Sequence, residues 1–417
     1  MNSISVRYKR AISRWGVNQF DRQPLRDHGF GQNNLVGTSC SITLNAYRDF
    51  LPRSTEAIPR YSWWLLVLSV VYNRRMKNRG HDMGIETRNL GTSGVAVTAL
   101  GFGGATLGGV GDRVSETEAD DVVHSAFAAG IRYFDTAPLY GHGLSEKRLG
   151  RTLAALPRDE FVLSTKVGRL LVSQDEGQRY AGMRDNEPFA IRYDYSYDAV
   201  RQSIESSLER LGLDRIDVLL CHDIDVWTHG DEQQGIFDVA VNGALPALRD
   251  LREQGVIQAI GLGVNEWEVC VRVLDTMDVD CFLLAGRFTL LEQTPLDEML
   301  PRCVADEVSV IIGGPYNSGL LANAERRRAT YDYKPAPDHL WDKAQRIREV
   351  CSGHSVDMRA AALQYPLRHP AVAAVIPGMW SEEEVQTNLR LMSVDIPSAL
   401  WTELDDAGLV RGLSDTG

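Results

Sequence analysis

Four side chains in the sequence have the chemistry to move a proton between an alcohol and a carbonyl: Asp135, Tyr140, Lys166 and His222. A tyrosine phenol has an ordinary pKa of about 10 and is a weak acid or base at neutral pH. A neighbouring ammonium such as Lys166 favours the phenolate and lowers that pKa. Asp135 can pair with Lys166, and a neutral His222 can hydrogen-bond the reacting oxygen. Together these residues predict a proton-transfer site.

Each of the four also has a purely structural interpretation. Asp135 suits a turn or a helix cap, and Lys166 suits a solvated strand end. A single histidine after an apolar strand, such as His222, commonly has a structural hydrogen bond. Tyr140 alone favours neither interpretation. The catalytic interpretation therefore requires a fold that brings all four residues to one place.

Short apolar segments recur along the chain and supply such a fold. Eight of them are predicted as strands: Ala99–Phe102, Tyr133–Asp135, Val162–Lys166, Ile216–Cys221, Ile257–Gly261, Cys281–Leu284, Val308–Ile312 and Ala373–Ile376. Longer amphipathic segments are predicted as helices: Thr117–Ala129, Ser145–Leu153, Ser196–Leu211, Gly243–Gln254, Glu266–Met277, Pro295–Glu307, Val356–Arg368 and Ser381–Leu391. Alternating strands and helices are typical of a buried parallel sheet, and eight such units favour a closed (β/α)8 TIM barrel.

The predicted barrel determines where the four residues lie. All of them stand at or just after the C-terminal ends of strands, where barrels of this kind have their active sites. Two long connections, Gly168–Asp194 and Leu320–Pro337, follow strands at that end and are expected to cover substrate or cofactor. At the other end, the segment Thr87–Val97 is predicted as a β-hairpin that caps the barrel.

The charge distribution divides the chain near residue 83. The 417 residues have a net charge of −12, which argues against nucleic-acid binding. Residues 1–82 nevertheless contain 13 Lys+Arg and only 5 Asp+Glu. We predict that residues 1–82 form a basic extension that is disordered or lies upstream of a true start at Met83. The barrel is then predicted over residues 83–417.

Two further features of the sequence bear on the cellular compartment and on membrane association. The apolar segment Tyr61–Tyr72 is too short for a spanning helix, which needs about 20 residues, so no membrane partner is expected. The six cysteines are scattered and contain no C-x-x-C pair, which predicts neither a disulfide framework nor a metal site. A cytoplasmic location is expected.

Several sequence motifs resemble those of the aldo-keto reductase superfamily across nearly all of Met83–Leu409. The motifs are Leu100–Gly104 (LGFGG), Tyr133–Gly141 (YFDTAPLYG), Leu163–Gly168 (LSTKVG), Leu208–Asp217 (LERLGLDRID) and Val375–Gly378 (VIPG). The resemblance implies that Asp135, Tyr140, Lys166 and His222 are the catalytic tetrad, with Tyr140 as the acid/base. It also implies a nicotinamide dinucleotide bound on the barrel without a Rossmann domain.

Within the superfamily, the sequence most resembles bacterial dehydrogenases of L-fucose and D-threo-aldoses, together with pyridoxal 4-dehydrogenase. The stretches that carry this likeness are Tyr193–Asp198, His222–Gly230, Gly261–Asn265, Ala285–Leu291 and Gly314–Leu320. The likeness implies oxidation of a cyclic hemiacetal to a lactone, with a sugar or pyridoxal as the small-molecule substrate. The oligomeric state is left open.

The resemblance also implies which residues meet the cofactor. In place of the family's usual Ser-Asn pair after the fifth strand, the chain has Gly263 and Val264. Asn265 and the Gly314–Leu320 backbone are the candidates for holding the nicotinamide. The candidate cofactor residues are Asn265, Gly314, Pro315, Tyr316, Asn317, Ser318, Gly319, Leu320, Pro377, Gly378, Glu384 and Asn388.

Two positions after the eighth strand favour NAD over NADP. NADP-using relatives carry basic residues where this chain has Gly378 and Glu384. A 2′-phosphate needs charge-assisted donors, whereas a carboxylate repels it and can accept hydrogen bonds from ribose hydroxyls. The structural alternative is that Glu384 is a solvated helix residue.

Three functions remain open on the sequence alone: a hemiacetal dehydrogenase, an NADPH-dependent aldehyde or ketone reductase, and a non-enzymatic cofactor-sensing subunit. The intact tetrad favours the first two, and Gly378 with Glu384 disfavours the second. Aromatic and polar loop residues that suit either a sugar or a pyridine pocket are Tyr180, Tyr193, Trp227, His229 and Arg287.

Overall fold

The computed structural model describes residues 84–111, 113–178 and 186–413. The predicted N-terminal extension, its apolar segment Tyr61–Tyr72 and the loop residue Tyr180 lie outside these ranges. No helix within the described ranges is both long enough and apolar enough to cross a bilayer. The cysteines in these ranges are buried and form no disulfide: Cys221, Cys270, Cys281, Cys303 and Cys351.

A parallel barrel of eight strands is the framework of the molecule. The described residues form fourteen strands, of which eight make up the barrel. They are β1 (Thr87–Asn89), β2 (Ala96–Thr98), β3 (Phe102–Gly103), β4 (Tyr133–Asp135), β5 (Val162–Val167), β6 (Arg169–Val172), β7 (Ala190–Tyr193), β8 (Val218–His222), β9 (Ala259–Val264), β10 (Cys281–Ala285), β11 (Ser309–Gly313), β12 (Thr330–Tyr331), β13 (Lys334–Pro335) and β14 (Val372–Ile376). Strands β3, β4, β5, β8, β9, β10, β11 and β14 pair in that order. Parallel bridges from Leu100 to Val375 and from Gly103 to Gly378 join the first strand to the last. The predicted (β/α)8 architecture is confirmed.

Helices follow the barrel strands and surround them. They are α1 (Glu116–Ala128), α2 (Leu144–Leu153), α3 (Tyr197–Leu211), α4 (Val226–His229), α5 (Gln233–Asn242), α6 (Ala244–Glu253), α7 (Glu268–Leu274), α8 (Met299–Ala305), α9 (Asp338–Gly353), α10 (Met358–Leu367), α11 (Glu382–Met392) and α12 (Ser398–Asp406). The eight predicted helices are all present, most of them within two residues of the predicted ends.

The helix predicted over Pro295–Glu307 is the main boundary error. The structure has a 3₁₀ turn at Thr294–Leu296 and then α8, which begins at Met299. Pro301 lies in the first turn of α8, and its ring would clash with the carbonyl of Asp297 in a longer helix. The proline therefore requires the helix to start close before it.

The predicted barrel strands are correct in number and order, and their ends differ from the observed ones by at most three residues. The largest differences are at the start of the first strand, predicted as Ala99–Phe102 and observed as β3, and at the end of the fifth, predicted as Ile257–Gly261 and observed as β9. The two long connections also contain structure. The hairpin β6–β7 lies in the first, and the short hairpin β12–β13 lies in the second.

The N-terminal hairpin β1–β2 caps the end of the barrel away from the predicted site. Arg88 donates hydrogen bonds to the carbonyls of Leu367 and Val372 at the start of β14. The buried side chains Leu90 and Val97 pack among residues of the barrel interior, including Leu283. This apolar plug closes one end of the barrel and leaves the C-terminal ends of the strands as the open end.

Gly261→Ala tests how closely β9 and β10 approach. A Cβ atom at position 261 would lie 1.6 Å from the carbonyl oxygen of Cys281. Because that oxygen belongs to the paired backbone and cannot rotate away, we expect the free energy of unfolding to fall by at least ~3 kcal/mol in urea denaturation. The matched control is Gly235→Ala in α5, where a Cβ meets nothing within 4 Å. That variant should be as stable as the wild type or gain ~0.5–1 kcal/mol, and equal stabilities of the two variants would contradict the argument.

Candidate active site

The four predicted proton-transfer residues converge at the C-terminal end of the barrel. Asp135 is the last residue of β4, Lys166 lies in β5, and His222 is the last residue of β8. Tyr140 begins a 3₁₀ turn that follows β4 after four residues. Because neighbouring parallel strands end at the same edge, these positions in the sequence become neighbours in space.

Asp135, Lys166 and Tyr140 form one hydrogen-bonded chain. The Lys166 ammonium donates to Asp135 Oδ2 at 2.7 Å, to the Thr136 carbonyl at 2.9 Å and to the Tyr140 hydroxyl at 3.2 Å. The other carboxylate oxygen, Asp135 Oδ1, accepts from Ser164 Oγ at 2.7 Å. All three protons of the ammonium thus have acceptors, and one of those acceptors is the phenol.

The pKa values in this chain follow from burial opposed by charge. Burial raises the pKa of Tyr140, and the positive charge of Lys166 opposes that rise only in part. The expected effect of Lys166 on the phenol pKa is therefore present, but burial outweighs it and the net pKa is raised. Burial lowers the pKa of Lys166, but Asp135 and Tyr140 outweigh it, so the net pKa is raised and the ammonium stays charged.

His222 lies on the other side of the phenol. Its ring meets the Tyr140 ring edge-on, with 6.2 Å between centroids and an interplanar angle of 88°. Burial lowers the pKa of His222 well below its usual range, and the nearby cations Arg169 and Lys166 lower it further. The imidazole is therefore neutral at physiological pH.

Next to His222 lies a second buried ion pair that the sequence reading did not assign. The Asp223 carboxylate pairs with Arg169 Nη2, and its Oδ2 lies 3.2 Å from His222 Nε2. Asp223 follows the last residue of β8, and Arg169 is the first residue of β6, two residues after β5 ends. The signal in the sequence was an acid and a base at the ends of adjacent strands, the same signal that identified Asp135 and Lys166.

Asn265, one of the candidate cofactor residues, also lies at this end of the barrel. Its Nδ2 donates to Asp223 Oδ1 at 3.1 Å, and its backbone N–H donates to Asp225 Oδ2 at 2.8 Å. The glycine that replaces the family's usual serine has a packing role. A Cβ at Gly263 would lie 3.1 Å from Lys166 Cε, so the small residue makes room for the lysine stem.

The loop from Gly314 to Leu320 follows β11 as a tight turn. Gly314, Asn317, Ser318 and Gly319 all have positive φ angles. The buried Asn317 donates through Nδ2 to the carbonyl of Gly286, while its Oδ1 has no hydrogen-bond partner among the described residues. A buried acceptor of this kind is commonly satisfied by a ligand or water. The loop therefore fits the dinucleotide that the sequence implies.

The remaining candidate cofactor residues lie around the end of β14. Pro377 is buried and accepts a hydrogen bond from Gly103 N at 3.1 Å, and Gly378 is exposed beside it. Asn388 is buried in α11, where its Oδ1 accepts from the Tyr316 hydroxyl at 2.7 Å. This bond ties the Gly314–Leu320 loop to α11. Pro315 and Leu320 are buried in the same loop.

Glu384 has a structural role that was not predicted from the sequence. It lies in the first turn of α11, where its backbone N–H is capped by Ser381 Oγ and its Oε2 accepts from Trp380 N at 3.0 Å. Burial raises the pKa of Glu384, and the bond from Trp380 opposes that rise. The side chain therefore helps to cap the start of α11, and its expected effect on the choice between NAD and NADP stays a prediction.

Loops from three strands meet at Arg287 on the rim of the barrel. Arg287, after β10, pairs with Asp332 at 3.1 Å and lies 5.4 Å from the ring of Trp227, which follows β8. Asp332 belongs to the turn between β12 and β13. His229 packs edge-on against Tyr193 at 4.8 Å. The structure thus places the expected loop residues within its described ranges at the open end of the barrel.

Comparison with known proteins establishes the family. The sequence model described as the aldo/keto reductase family matches residues 99–408. The chain belongs to the aldo-keto reductase family. Enzymes of this family use nicotinamide cofactors, so the chain is an NAD(P)-dependent oxidoreductase. The expected superfamily is confirmed.

Individual relatives cover most of the barrel. A D-threo-aldose 1-dehydrogenase of Pseudomonas sp. is 41% identical over 325 residues, which are 76% of this chain and 96% of the relative. A pyridoxal 4-dehydrogenase of Microbacterium luteolum is 38% identical over 79% of this chain and 99% of its own length. The solved holo structure of an aldo-keto reductase from Bacillus halodurans is 25% identical, with a TM-score of 0.62 over 79% of this chain and 97% of that chain.

Lys166→Met tests the buried pair. The substitution keeps an unbranched side chain but leaves Asp135 buried without its counter-charge, so we expect the free energy of unfolding to fall by ~3–5 kcal/mol. A second variant that adds Asp135→Leu replaces both charges by apolar groups and should regain most of that loss. Urea denaturation at pH 7 measures both. Wild-type stability in the single variant would show that the pair is not desolvated as described.

Proposed function

We propose that this protein is an NAD-dependent dehydrogenase that oxidises the cyclic hemiacetal of an L-fucose or D-threo-aldose type sugar to its lactone. The observation that carries the proposal is the hydrogen-bonded chain from Asp135 through Lys166 to the Tyr140 hydroxyl. It provides a phenol whose protonation is coupled to a buried ammonium, with the neutral imidazole of His222 beside it. Such a set suits proton transfer to and from a substrate hydroxyl.

In the proposed reaction, Tyr140 is the acid/base. Its phenolate takes the proton of the substrate hydroxyl, while the hydrogen on the same carbon leaves with its electron pair. An oxidised nicotinamide, held by the cofactor residues proposed below, would supply the acceptor for that hydride and a positive charge at the site. Lys166 favours the phenolate because it opposes the effect of burial on the phenol pKa. Asp135 keeps Lys166 charged and oriented, and His222 hydrogen-bonds the substrate.

The proposed cofactor residues are those that surround the ends of β9, β11 and β14. Asn265 and the Gly314–Leu320 loop would meet the nicotinamide half, with the unpartnered Oδ1 of Asn317 as an acceptor. Pro377, Gly378, Glu384 and Asn388 would meet the adenosine half. Gly378 offers no charge to a 2′-phosphate, and the carboxylate of Glu384 repels one, which supports NAD over NADP.

The substrate class is supported by two relatives whose names state their activities. The D-threo-aldose 1-dehydrogenase and the pyridoxal 4-dehydrogenase are 41% and 38% identical to this chain. Pyridoxal oxidation is therefore the second candidate function. The same residues could run the reverse reaction as an NADPH-dependent reductase, which Gly378 and Glu384 disfavour. A non-enzymatic cofactor-sensing subunit has the least support, because the tetrad is intact.

Tyr140→Phe tests the chemistry. The variant keeps the ring but removes the hydroxyl, so kcat/KM should fall by roughly 10²- to 10⁴-fold. The measurement is NADH formation with a panel of aldopyranoses and with pyridoxal. NAD binding, followed by protein fluorescence, should stay close to that of the wild type. Unchanged turnover in Tyr140→Phe would exclude Tyr140 as the acid/base.

A chain that begins at Met83 should match the full chain in kcat/KM.

Glu384 substitutions test the choice of cofactor. Glu384→Gln keeps an acceptor for the Trp380 N–H but removes the charge, so the ratio of kcat/KM for NAD over NADP should fall. Glu384→Arg supplies a donor for the 2′-phosphate and should lower that ratio further, by ten-fold or more in total. Steady-state kinetics with each cofactor, over the same series of substrate concentrations, measure this ratio. A wild-type preference for NADP would refute the assignment.

A further inference from the structure

The three residues directly after Tyr140 have a left-handed backbone. The φ angles of Gly141, His142 and Gly143 are +63°, +52° and +96°. Glycine adopts such angles freely, but a residue with a side chain seldom does, so the surrounding contacts must hold His142 in this conformation. The His142 side chain is completely buried. The turn that carries Tyr140 is therefore shaped by contacts with other segments.

The residues just before β7 supply the first of these contacts. His142 Nδ1 lies 2.7 Å from the Phe189 carbonyl oxygen, and the backbone N–H of Glu187 donates to the Gly141 carbonyl at 2.9 Å. Because a carbonyl only accepts hydrogen bonds, His142 Nδ1 must carry a hydrogen. Two hydrogen bonds thus join the turn after Tyr140 to the connection that follows the third barrel strand.

Apolar packing joins the same two segments. Ala137, Leu139 and Ile191 form a small cluster of buried side chains, against which Leu171 and Tyr140 pack. Leu171 belongs to β6 and Ile191 to β7. The β6–β7 hairpin and Tyr140 therefore share one apolar cluster, in addition to the two hydrogen bonds.

A largely buried ion pair is the second anchor of the turn. A Cβ atom at Gly143 would lie 2.7 Å from Arg210 Cδ, so this residue lies directly against the arginine stem. Arg210 pairs with Glu146 at 2.6 Å, and Glu146 accepts from Thr165 Oγ1 at 2.8 Å. Thr165 precedes Lys166 in β5. The turn is thereby tied to the strand that carries Lys166 as well as to the hairpin.

We propose that His142 is a positioning residue that locks the turn after Tyr140 to the Phe189 carbonyl. The lock fixes the distance between the Tyr140 hydroxyl and the Lys166 ammonium. That distance is 3.2 Å, at the upper end of the usual range for a hydrogen bond from nitrogen to oxygen. A small displacement of the turn therefore breaks the bond. This inference rests on the proposed role of Tyr140 as the acid/base.

Loss of the lock should change the titration of Tyr140. Burial raises the pKa of Tyr140, and Lys166 opposes that rise. If the hydroxyl moves away from the ammonium, this opposition weakens and the phenol pKa rises further. The limb of kcat that requires the phenolate then moves to higher pH. The other titratable groups that face the phenol are Asp135, His222, Asp223 and Tyr133.

The experiment compares His142→Gly with His142→Asn in the full chain. Both new residues tolerate a left-handed backbone, and both lack the imidazole, so its own titration cannot distinguish them. Only asparagine keeps a donor, because its Nδ2 takes the place of the histidine Nδ1. The comparison therefore isolates the hydrogen bond to Phe189.

The two variants should differ in turnover and in the phenol pKa. In His142→Gly we expect kcat to fall roughly ten- to a hundred-fold while the KM for NAD stays close to that of the wild type. The pKa of Tyr140 should rise by roughly half a unit or more. His142→Asn should keep most of the wild-type kcat and a phenol pKa close to that of the wild type. Equal kcat and phenol pKa in the two variants would overturn the proposal, because the donor would then have no effect.

The matched control is Ser355→Gly. Ser355 also has a left-handed backbone, with a φ angle of +58°, but it is exposed in the turn between α9 and α10. This variant should leave kcat and the pKa of Tyr140 unchanged. If it changes both as His142→Gly does, the positioning role is overturned, because any new glycine would have the effect.

Two NMR measurements need no turnover and keep the inference separate from the proposed function. ¹³C NMR of protein labelled at tyrosine Cζ, with the Tyr140 signal assigned by difference from Tyr140→Phe, follows the phenol pKa. ¹⁵N NMR of histidine-labelled wild type, assigned by difference from His142→Asn, shows whether His142 Nδ1 carries a hydrogen. A hydrogen there supports the proposal, and its absence overturns it even if His142→Gly fails to fold. Wild-type protein that forms no NADH with any sugar or with pyridoxal refutes the proposed function, while the NMR results still decide the role of His142.

Discussion

Lys166 and Asp135 carry opposite charges 2.7 Å apart in a part of the barrel where both side chains are almost completely buried. Removing two such charges from water costs several kcal/mol each, and their attraction offsets that cost only when the remaining donors and acceptors are satisfied. Here Ser164 and the Thr136 carbonyl satisfy them. The strand ends of the barrel must therefore keep this geometry, and the position of the Tyr140 hydroxyl depends on it.

The same cation acts on its two neighbours in opposite ways. Lys166 opposes the effect of burial on the pKa of Tyr140, because a nearby positive charge stabilises the phenolate. It adds to the effect of burial on His222, because a positive charge destabilises the imidazolium. A phenol whose ionisation Lys166 favours, although burial raises its pKa overall, thus lies beside an imidazole that stays neutral. Arg169 strengthens the second effect, and Asp223 compensates its charge.

At the same open end, the residues proposed for the cofactor are held by individual side-chain hydrogen bonds. Tyr316 and Asn388 join the loop after β11 to α11, and Glu384 closes the start of that helix. These contacts prepare a surface of backbone turns and amide groups. The Tyr316–Asn388 bond joins neutral groups, unlike the Asp135–Lys166 pair. This contrast explains why Asp135, Tyr140, Lys166 and His222 are the better defined part of the site.

The architecture and the convergence of Asp135, Tyr140, Lys166 and His222 follow from the amino-acid sequence alone, because both depend on local patterns. Apolar strands at regular intervals required a parallel barrel, and residues at strand ends had to meet at one edge. The tertiary structure decided what depends on contacts between distant segments. It placed Arg169 against Asp223, gave Glu384 a capping role, and raised the phenol pKa through burial that no local pattern shows. Helix α9 is an intermediate case. Its buried residues Ala344, Ile347 and Cys351 have helical spacing in the sequence, but the helix was not predicted because it follows a long connection. Burial and pairing are properties of the closed barrel, and they exist only once all eight strands are in place.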